Sequence, residues 1–125
     1  NSVIKFRDQL VYVAGPYTKP SPKENTERAI GVGSDLIKLG YASVVPHLSH
    51  YWELLRPEPY ETWLALDLVL LKRCDVLLLL PGYSNGAEKE VLFAEQNGIP
   101  VVYATSAVSA AQELHEFMIT RGVAA

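Results

Sequence analysis

The sequence predicts an α/β fold in which helices cover both faces of a parallel sheet, and two observations lead to it. Short apolar runs alternate with longer amphipathic segments along the 125 residues, and this alternation is typical of parallel sheets. Residues 75–80 (DVLLLL) are apolar at every position after the aspartate, as a central strand buried on both faces must be. Since domains cluster at roughly 100–150 residues, we expect residues 1–125 to form one domain. Short right-handed crossovers join the strands of a parallel sheet. The expected architecture is a doubly wound three-layer sandwich of four to five strands, Rossmann- or flavodoxin-like.

The first half of the chain predicts two strands and one long helix. Residues 10–14 (LVYVA) form an apolar run that ends at a Gly-Pro pair, which predicts a strand. Residues 21–24 (SPKE) match a capping box with proline at the first helical position, so a helix begins there, and Gly40 ends it. Residues 41–46 (YASVVP) predict a second strand, and we interpret residues 47–61 (HLSHYWELLRPEPYE) as irregular.

The second half continues the alternation of helices and strands. A helix is predicted from about residue 60 to residue 73, and the strand at 75–80 follows it. Another helix begins at Gly86 or Ala87, runs to Asn97 and is closed by a glycine. Residues 100–104 (PVVYA) predict the fourth strand, and residues 106–121 predict the last helix.

Composition and charge argue against several classes of function. The formal charge of −3 argues against a nucleic-acid polymer as partner. The apolar stretch at residues 64–80 is broken by charged residues and is too interrupted to span a membrane. A single cysteine, Cys74, allows no intrachain disulfide, which fits a cytoplasmic protein.

Neither a metal nor a cofactor is expected. The three histidines and the cysteine do not form a metal-binding pattern. Residues 31–36 (GVGSDL) have two glycines at the spacing of a dinucleotide-binding loop, but the third glycine is missing. They also fall inside a predicted helix, so we interpret them as small residues that allow close helix packing.

The expected ligand site is at the carboxyl ends of the strands, where ligands bind in sheets of this kind. Three segments leave the sheet there: AGPYT after the first strand, PHLSHYWE after the second and PGYSNGAEKE after the third. Within these segments, the predicted binding residues are Gly15, Pro16, Tyr17, His47, Ser84, Asn85 and Gly86. Ser84 has two equally weighted interpretations, since a serine before a helix can cap it or help its free N–H groups bind an anion.

Two carboxylates stand out from their surroundings. Glu88 and Glu90 are two residues apart on the predicted helix, so they cannot share a face. Glu90 adjoins apolar residues at 91, 92 and 94 and is therefore the one expected to be held in a partly desolvated position. Asp67 lies within the apolar segment WLALDLVLL, where a lone acid is costly unless it is paired or functional.

The segments VYVAGPY, DLVLLKRCDVLLLL and SNGAEKEVLFA, in this order, resemble the nucleoside 2-deoxyribosyltransferase superfamily. That superfamily includes a deoxynucleoside 5'-monophosphate N-glycosidase branch and small phage and bacterial relatives, and the resemblance covers roughly residues 10–104. It implies that Glu90 is the nucleophile, Asp67 a second active-site carboxylate and Tyr12 a hydrogen-bond donor to the nucleophile. It also implies a homodimer or higher homo-oligomer and, through Ser84, contact with a 5'-phosphate.

The expected function is therefore cleavage or transfer at the N-glycosidic bond of a small-molecule nucleoside or its 5'-monophosphate, through a covalent glycosyl-glutamate. Whether water or a second base accepts the sugar stays open. One alternative is a nucleotide-binding module without turnover, favoured by Glu88 where the family often has glycine. A second alternative is a phosphoribohydrolase of the cytokinin-activating type, but PGYSNGAEKE lacks the Pro-Gly-Gly and Gly-Thr pairs of that family.

Overall fold

The computed structural model describes residues 4–121. Within this range four strands form one all-parallel sheet in the order β2-β1-β3-β4. The strands are β1 (Leu10–Ala14), β2 (Ala42–Val44), β3 (Val76–Leu79) and β4 (Val101–Tyr103). Each lies within a predicted strand segment, so the predicted α/β sandwich with a four-stranded parallel sheet is confirmed.

Five helices flank the sheet. They are α1 (Pro22–Lys38), α2 (Ser49–Leu55), α3 (Tyr60–Lys72), α4 (Asn85–Gln96) and α5 (Ala110–Thr120), and a 3-10 turn (Pro46–Leu48) precedes α2. None of the helices in the described part of the chain is long and apolar enough to cross a bilayer.

Alternate residues of β1 face two separate cores, as a strand buried on both sides requires. Val11 and Val13 pack with the apolar faces of α1 and α5. Tyr12 and Ala14 pack on the opposite side, in a core that Leu71 of α3 and residues of α4 complete. The side of the sheet that carries Tyr12 is therefore also the side that carries α3 and α4.

Side-chain caps fix where two helices begin. Ser21 accepts a hydrogen bond from the backbone N–H of Glu24 at 3.3 Å, with Pro22 as the first residue of α1. Ser84 accepts from the backbone N–H of Ala87 at 3.0 Å, so α4 begins at Asn85. The capping interpretation of Ser84 is confirmed, and the helix begins one residue before the earlier of the two predicted starts.

Two element predictions were wrong. The segment predicted to be irregular contains the 3-10 turn and α2, a short helix that contributes no fully buried residue. The last helix begins at Ala110 and not at Ser106. The Ser106 hydroxyl binds the Ser109 backbone N–H at 3.1 Å and its hydroxyl at 2.7 Å, and such local hydrogen bonds compete with helix formation.

Candidate active site

A cavity of about 650 Å³ opens at the carboxyl ends of β1, β2 and β3. Its floor comes from the loop after β1 and the start of α4, and its walls come from the 3-10 turn, α2 and α3. Of the ten residues predicted for the site, eight line this cavity: Gly15, Tyr17, His47, Asp67, Ser84, Asn85, Gly86 and Glu90. Tyr12 and Pro16 are buried and are not among the residues that line it.

Glu90 is a buried carboxylate at the inner end of the cavity. It is 7% exposed, and its Oε2 accepts a hydrogen bond from the hydroxyl of Tyr12, which is fully buried in β1. Burial raises the pKa of Glu90 to about 7, opposed by the Tyr12 hydrogen bond and assisted by the charge of Asp67. Burial and then the charge of Glu90 raise the pKa of Tyr12 far above its usual range, so Tyr12 keeps its proton and is the donor.

The contrast between Glu90 and Glu88 follows from the helical geometry of α4. Glu88 is exposed and does not line the cavity, whereas Glu90 shares the buried face with Ala87 and Ala94. The sequence pattern predicts that Leu92 lies on the buried side of α4 with Glu90, but Leu92 is 54% exposed. Residues 90 and 92 are two apart, so they diverge by the same rule that separates 88 from 90.

Asp67 reaches the same cavity from α3. It is half-buried, and burial raises the pKa of its carboxyl to about 7. Its position on the helix explains the apolar neighbours, because Leu71, four residues later on the same face, is fully buried in the core. Two carboxyl groups from different helices therefore face one cavity, each with a pKa raised toward neutrality.

His47 anchors the loop after β2 to the loop after β1. It is 5% exposed, and its Nε2 donates to the Pro16 carbonyl at 3.0 Å. Burial lowers the pKa of its imidazole, opposed by the backbone hydrogen bonds at Pro16 and Gly15, so a neutral ring lines the cavity. Pro16 thus contributes to the site through its backbone carbonyl.

Close approach of the backbone explains two glycines at the mouth of the cavity. Gly82 has a φ of +109°, and a Cβ there would lie 2.8 Å from Pro16 Cγ. Only glycine combines this left-handed backbone with so little space. A Cβ on Gly86 would lie 3.0 Å from the hydroxyl oxygen of Tyr60, so the start of α4 and the start of α3 meet at this point.

Sequence reasoning missed one wall of the cavity, formed by Glu53 and Glu58 with Tyr60 and Trp63. The Glu53 Oε1 accepts a hydrogen bond from Trp63 Nε1 at 2.5 Å and another from the Glu58 backbone N–H at 3.0 Å. A signal for α3 was present, because residues 60, 63 and 67 lie on one face of the predicted helix. No comparable signal marked Glu53, since α2 was not recognised as a helix.

Carboxylates dominate the charge of the cavity. In the part of the chain that the structure describes, four acidic residues line it, Glu53, Glu58, Asp67 and Glu90, and Lys19 is the one lysine or arginine among the lining residues. Within residues 4–121, no group of three or more histidine, cysteine, aspartate or glutamate residues is arranged to hold a metal ion.

The fold and the site together define an α/β protein with a pair of partly desolvated carboxyl groups at the carboxyl edge of a parallel sheet. Residues 9–104 match the family described as a domain of unknown function (DUF7768), and the chain belongs to this family. None of the curated proteins matches the chain.

Proposed function

We propose that the protein cleaves or transfers at the N-glycosidic bond of a nucleoside, through a covalent glycosyl intermediate on Glu90. The observation that carries this proposal is the buried Glu90 carboxylate, hydrogen-bonded by Tyr12 at the inner end of a cavity that Asp67 also lines. Cleavage of a glycosidic bond passes through an oxocarbenium-like state, which a carboxylate below the sugar carbon stabilises and can trap. The resemblance to nucleoside 2-deoxyribosyltransferases supports the same assignment of residues.

In the first step, an ionised oxygen of Glu90 forms a bond to the anomeric carbon of the sugar. The bond from that carbon to the base nitrogen breaks, and the electron pair leaves with the base. Asp67, protonated, donates its proton to the departing base. The Tyr12 hydroxyl fixes the orientation of the Glu90 carboxylate throughout.

In the second step, the Asp67 carboxylate removes a proton from the acceptor as the acceptor attacks the anomeric carbon. The ester bond to Glu90 breaks, the Glu90 carboxylate is restored and Asp67 is again protonated. Water as acceptor gives a hydrolase, and a second base gives a transferase. Since burial raises both pKa values to about 7, each carboxyl is partly protonated near neutral pH, so a protonated Asp67 and an ionised Glu90 are both accessible there.

The charge of the cavity favours a nucleoside over its 5'-monophosphate. Among the residues that the structure describes, the cavity lining has four acidic side chains and one lysine, Lys19, so a phosphate dianion there meets like charges. The Ser84 oxygen already accepts the Ala87 N–H at 3.0 Å. Its hydroxyl proton and the free N–H groups at the start of α4 are the groups that favour a phosphate.

The alternative is a nucleotide-binding module without turnover. Its sequence basis was Glu88, in a position where the family often has glycine. Glu88 is exposed and outside the cavity lining, so its charge does not occupy the space that a sugar requires. We therefore rank the enzyme above the binding module.

The test is an assay for the release of free base, which chromatography measures. The purified protein is incubated with deoxynucleosides, their 5'-monophosphates and the ribose counterparts, with and without a second base as acceptor. We expect release that Glu90→Ala and Glu90→Gln abolish, since both remove the nucleophile. Turnover that persists in Glu90→Gln would overturn the assignment, and binding without any release would leave the binding module.

A further inference from the structure

Glu53 is a carboxylate held in a fixed orientation at the cavity wall. Its Oε1 accepts two hydrogen bonds, from the Trp63 indole and from the Glu58 backbone N–H. These bonds join α2 to the segment before α3 and to α3 itself. The Glu53 Oε2 has no hydrogen-bond partner among residues 4–121, and the residue lines the cavity.

The charge of Glu53 is retained at neutral pH. The hydrogen bond from the Glu58 backbone, followed by that from Trp63, lowers the pKa of its carboxyl. Burial, and then the charge of Glu53, raise the pKa of Tyr17 on the facing loop. The carboxylate is therefore ionised and close to a second cavity-lining aromatic residue.

Trp63 links Glu53 to Asp67, which protonates the base in the proposed reaction. Trp63 and Asp67 are four residues apart on α3, so their side chains are neighbours on one face. Asp67 protonates the base nitrogen in the proposed reaction, and a base that extends from it toward Trp63 meets the Glu53 carboxylate. Aromatic rings at Tyr17, Tyr60 and Trp63 line the same part of the cavity.

We propose that Glu53 recognises the base through a hydrogen bond, and that the preferred substrate is a nucleoside whose base carries an exocyclic amino group. The free Oε2 accepts an N–H from that amino group, and a carbonyl oxygen in its place meets an anion without a proton between them. This inference rests on the proposed function for the position of the sugar. It adds the class of base and a specificity-determining residue.

The test compares three purine nucleosides that differ at carbon 6 alone or nearly so: amino (2'-deoxyadenosine), hydrogen (purine 2'-deoxyriboside) and oxo (2'-deoxyinosine), with ribose forms beside them. Binding is measured by calorimetry and base release by chromatography. We expect the amino compound to bind and react about tenfold or more better than the hydrogen compound. The oxo compound should be the poorest of the three.

Glu53→Gln gives the sharper result. The amide oxygen keeps the position that accepts two N–H groups, so the amide nitrogen faces the cavity and donates. We therefore expect the preference to invert, with the oxo compound above the amino compound. Glu58→Gln removes the same charge from the cavity wall and keeps the backbone N–H that holds Glu53, so the amino preference should remain.

A second variant tests the same role of Glu53 if Glu53→Gln fails to fold. Trp63→Phe retains an aromatic ring but removes the indole N–H, so Glu53 keeps only the hydrogen bond from the Glu58 backbone, its carboxylate is held less firmly and the amino preference should fall. Base release without an amino preference, or an equal loss in Glu58→Gln and Glu53→Gln, would overturn the role of Glu53. Amino-selective binding without base release would support it and overturn the proposed chemistry, and no nucleoside binding at all would overturn both.

Discussion

Glu90 is a residue whose position costs stability. Its carboxyl is 7% exposed, and burial raises its pKa from an ordinary 4.5 to about 7. The folded protein therefore holds a proton that the unfolded chain releases as pH rises above about 4.5. Since the folded state binds more protons in this interval, the contribution of Glu90 to the free energy of unfolding falls as pH rises from about 4.5 to about 7 and levels off above the folded pKa.

Glu90→Gln should separate stability from activity. The glutamine keeps an acceptor for the Tyr12 hydroxyl and carries no charge, so we expect it to be more stable than the parent protein at pH 8, by on the order of 2 kcal/mol. The difference should shrink toward pH 5, where the folded parent is protonated. Urea unfolding at both pH values measures it.

Glu88→Gln is the matched control for this prediction, because it removes an exposed carboxylate from the same helix. Its free energy of unfolding should change with pH in the same way as that of the parent. A Glu90→Gln protein that is less stable than the parent at pH 8 would contradict the desolvated state of Glu90.

The sequence could predict which of these carboxylates is buried, and the reason is local. Residues two apart on a helix diverge, and Glu90 adjoins Val91 and Ala94, so a single helical face decides between it and Glu88. Glu53 could not be predicted in this way. Its place at the cavity depends on a tertiary hydrogen bond to Trp63, ten residues away, and local periodicity carries no information about such contacts.

At the scale of elements, the junction between α3 and α4 shapes the mouth of the cavity. Gly86, in the first turn of α4, lies so close to Tyr60 of α3 that an added Cβ would be 3.0 Å from the tyrosine hydroxyl. An alanine in place of Gly86 favours the helical backbone by roughly 0.5–1 kcal/mol relative to glycine. The tyrosine side chain must move to make room, and it lines the cavity.

Gly86→Ala should therefore lower base release by about tenfold, an effect of the size expected for misplaced binding groups, without loss of thermal stability. Tyr60→Phe in the same chain removes the hydroxyl and should restore much of the lost rate. Gly31→Ala is the control, because within residues 4–121 nothing outside the backbone of α1 itself lies within 4 Å of the added Cβ. Full activity in Gly86→Ala alone would show that this junction does not control the cavity.

Periodicity and capping residues predict the strands and the long helices, but they do not predict α2. The first three predicted strands agree with the structure because their apolar runs end at proline or glycine. Helix α2 has seven residues, contributes nothing fully buried and lacks a side-chain cap, so none of the usual signals is present. Its position is set by the Glu53 contact with α3 and by the turn that precedes it.

At the scale of the whole molecule, the segment from the 3-10 turn through α2 and α3 carries several large, exposed apolar side chains. Its exposed large side chains include Leu48, Tyr51, Trp52, Leu54, Leu55 and Val69, each at least 53% exposed. Exposed apolar groups of this extent mark interaction surfaces in soluble proteins. The resemblance to nucleoside 2-deoxyribosyltransferases implies a homo-oligomer, and this surface, which adjoins the cavity wall at Glu53, is the one that we expect a second copy to cover.

Light scattering measures this directly, since a chain of 13.8 kDa and its dimer differ twofold in mass. We expect the parent protein to be dimeric or larger, because removal of exposed apolar area from water favours association. Leu54→Lys places a charge in the centre of the surface and should shift the protein to monomer. Val108→Lys makes the same change at a side chain that is 91% exposed before α5, away from this surface, and should leave the mass unchanged. A parent protein that is monomeric at every concentration would contradict the predicted homo-oligomer. Any base release would then have to come from a cavity formed by one chain alone.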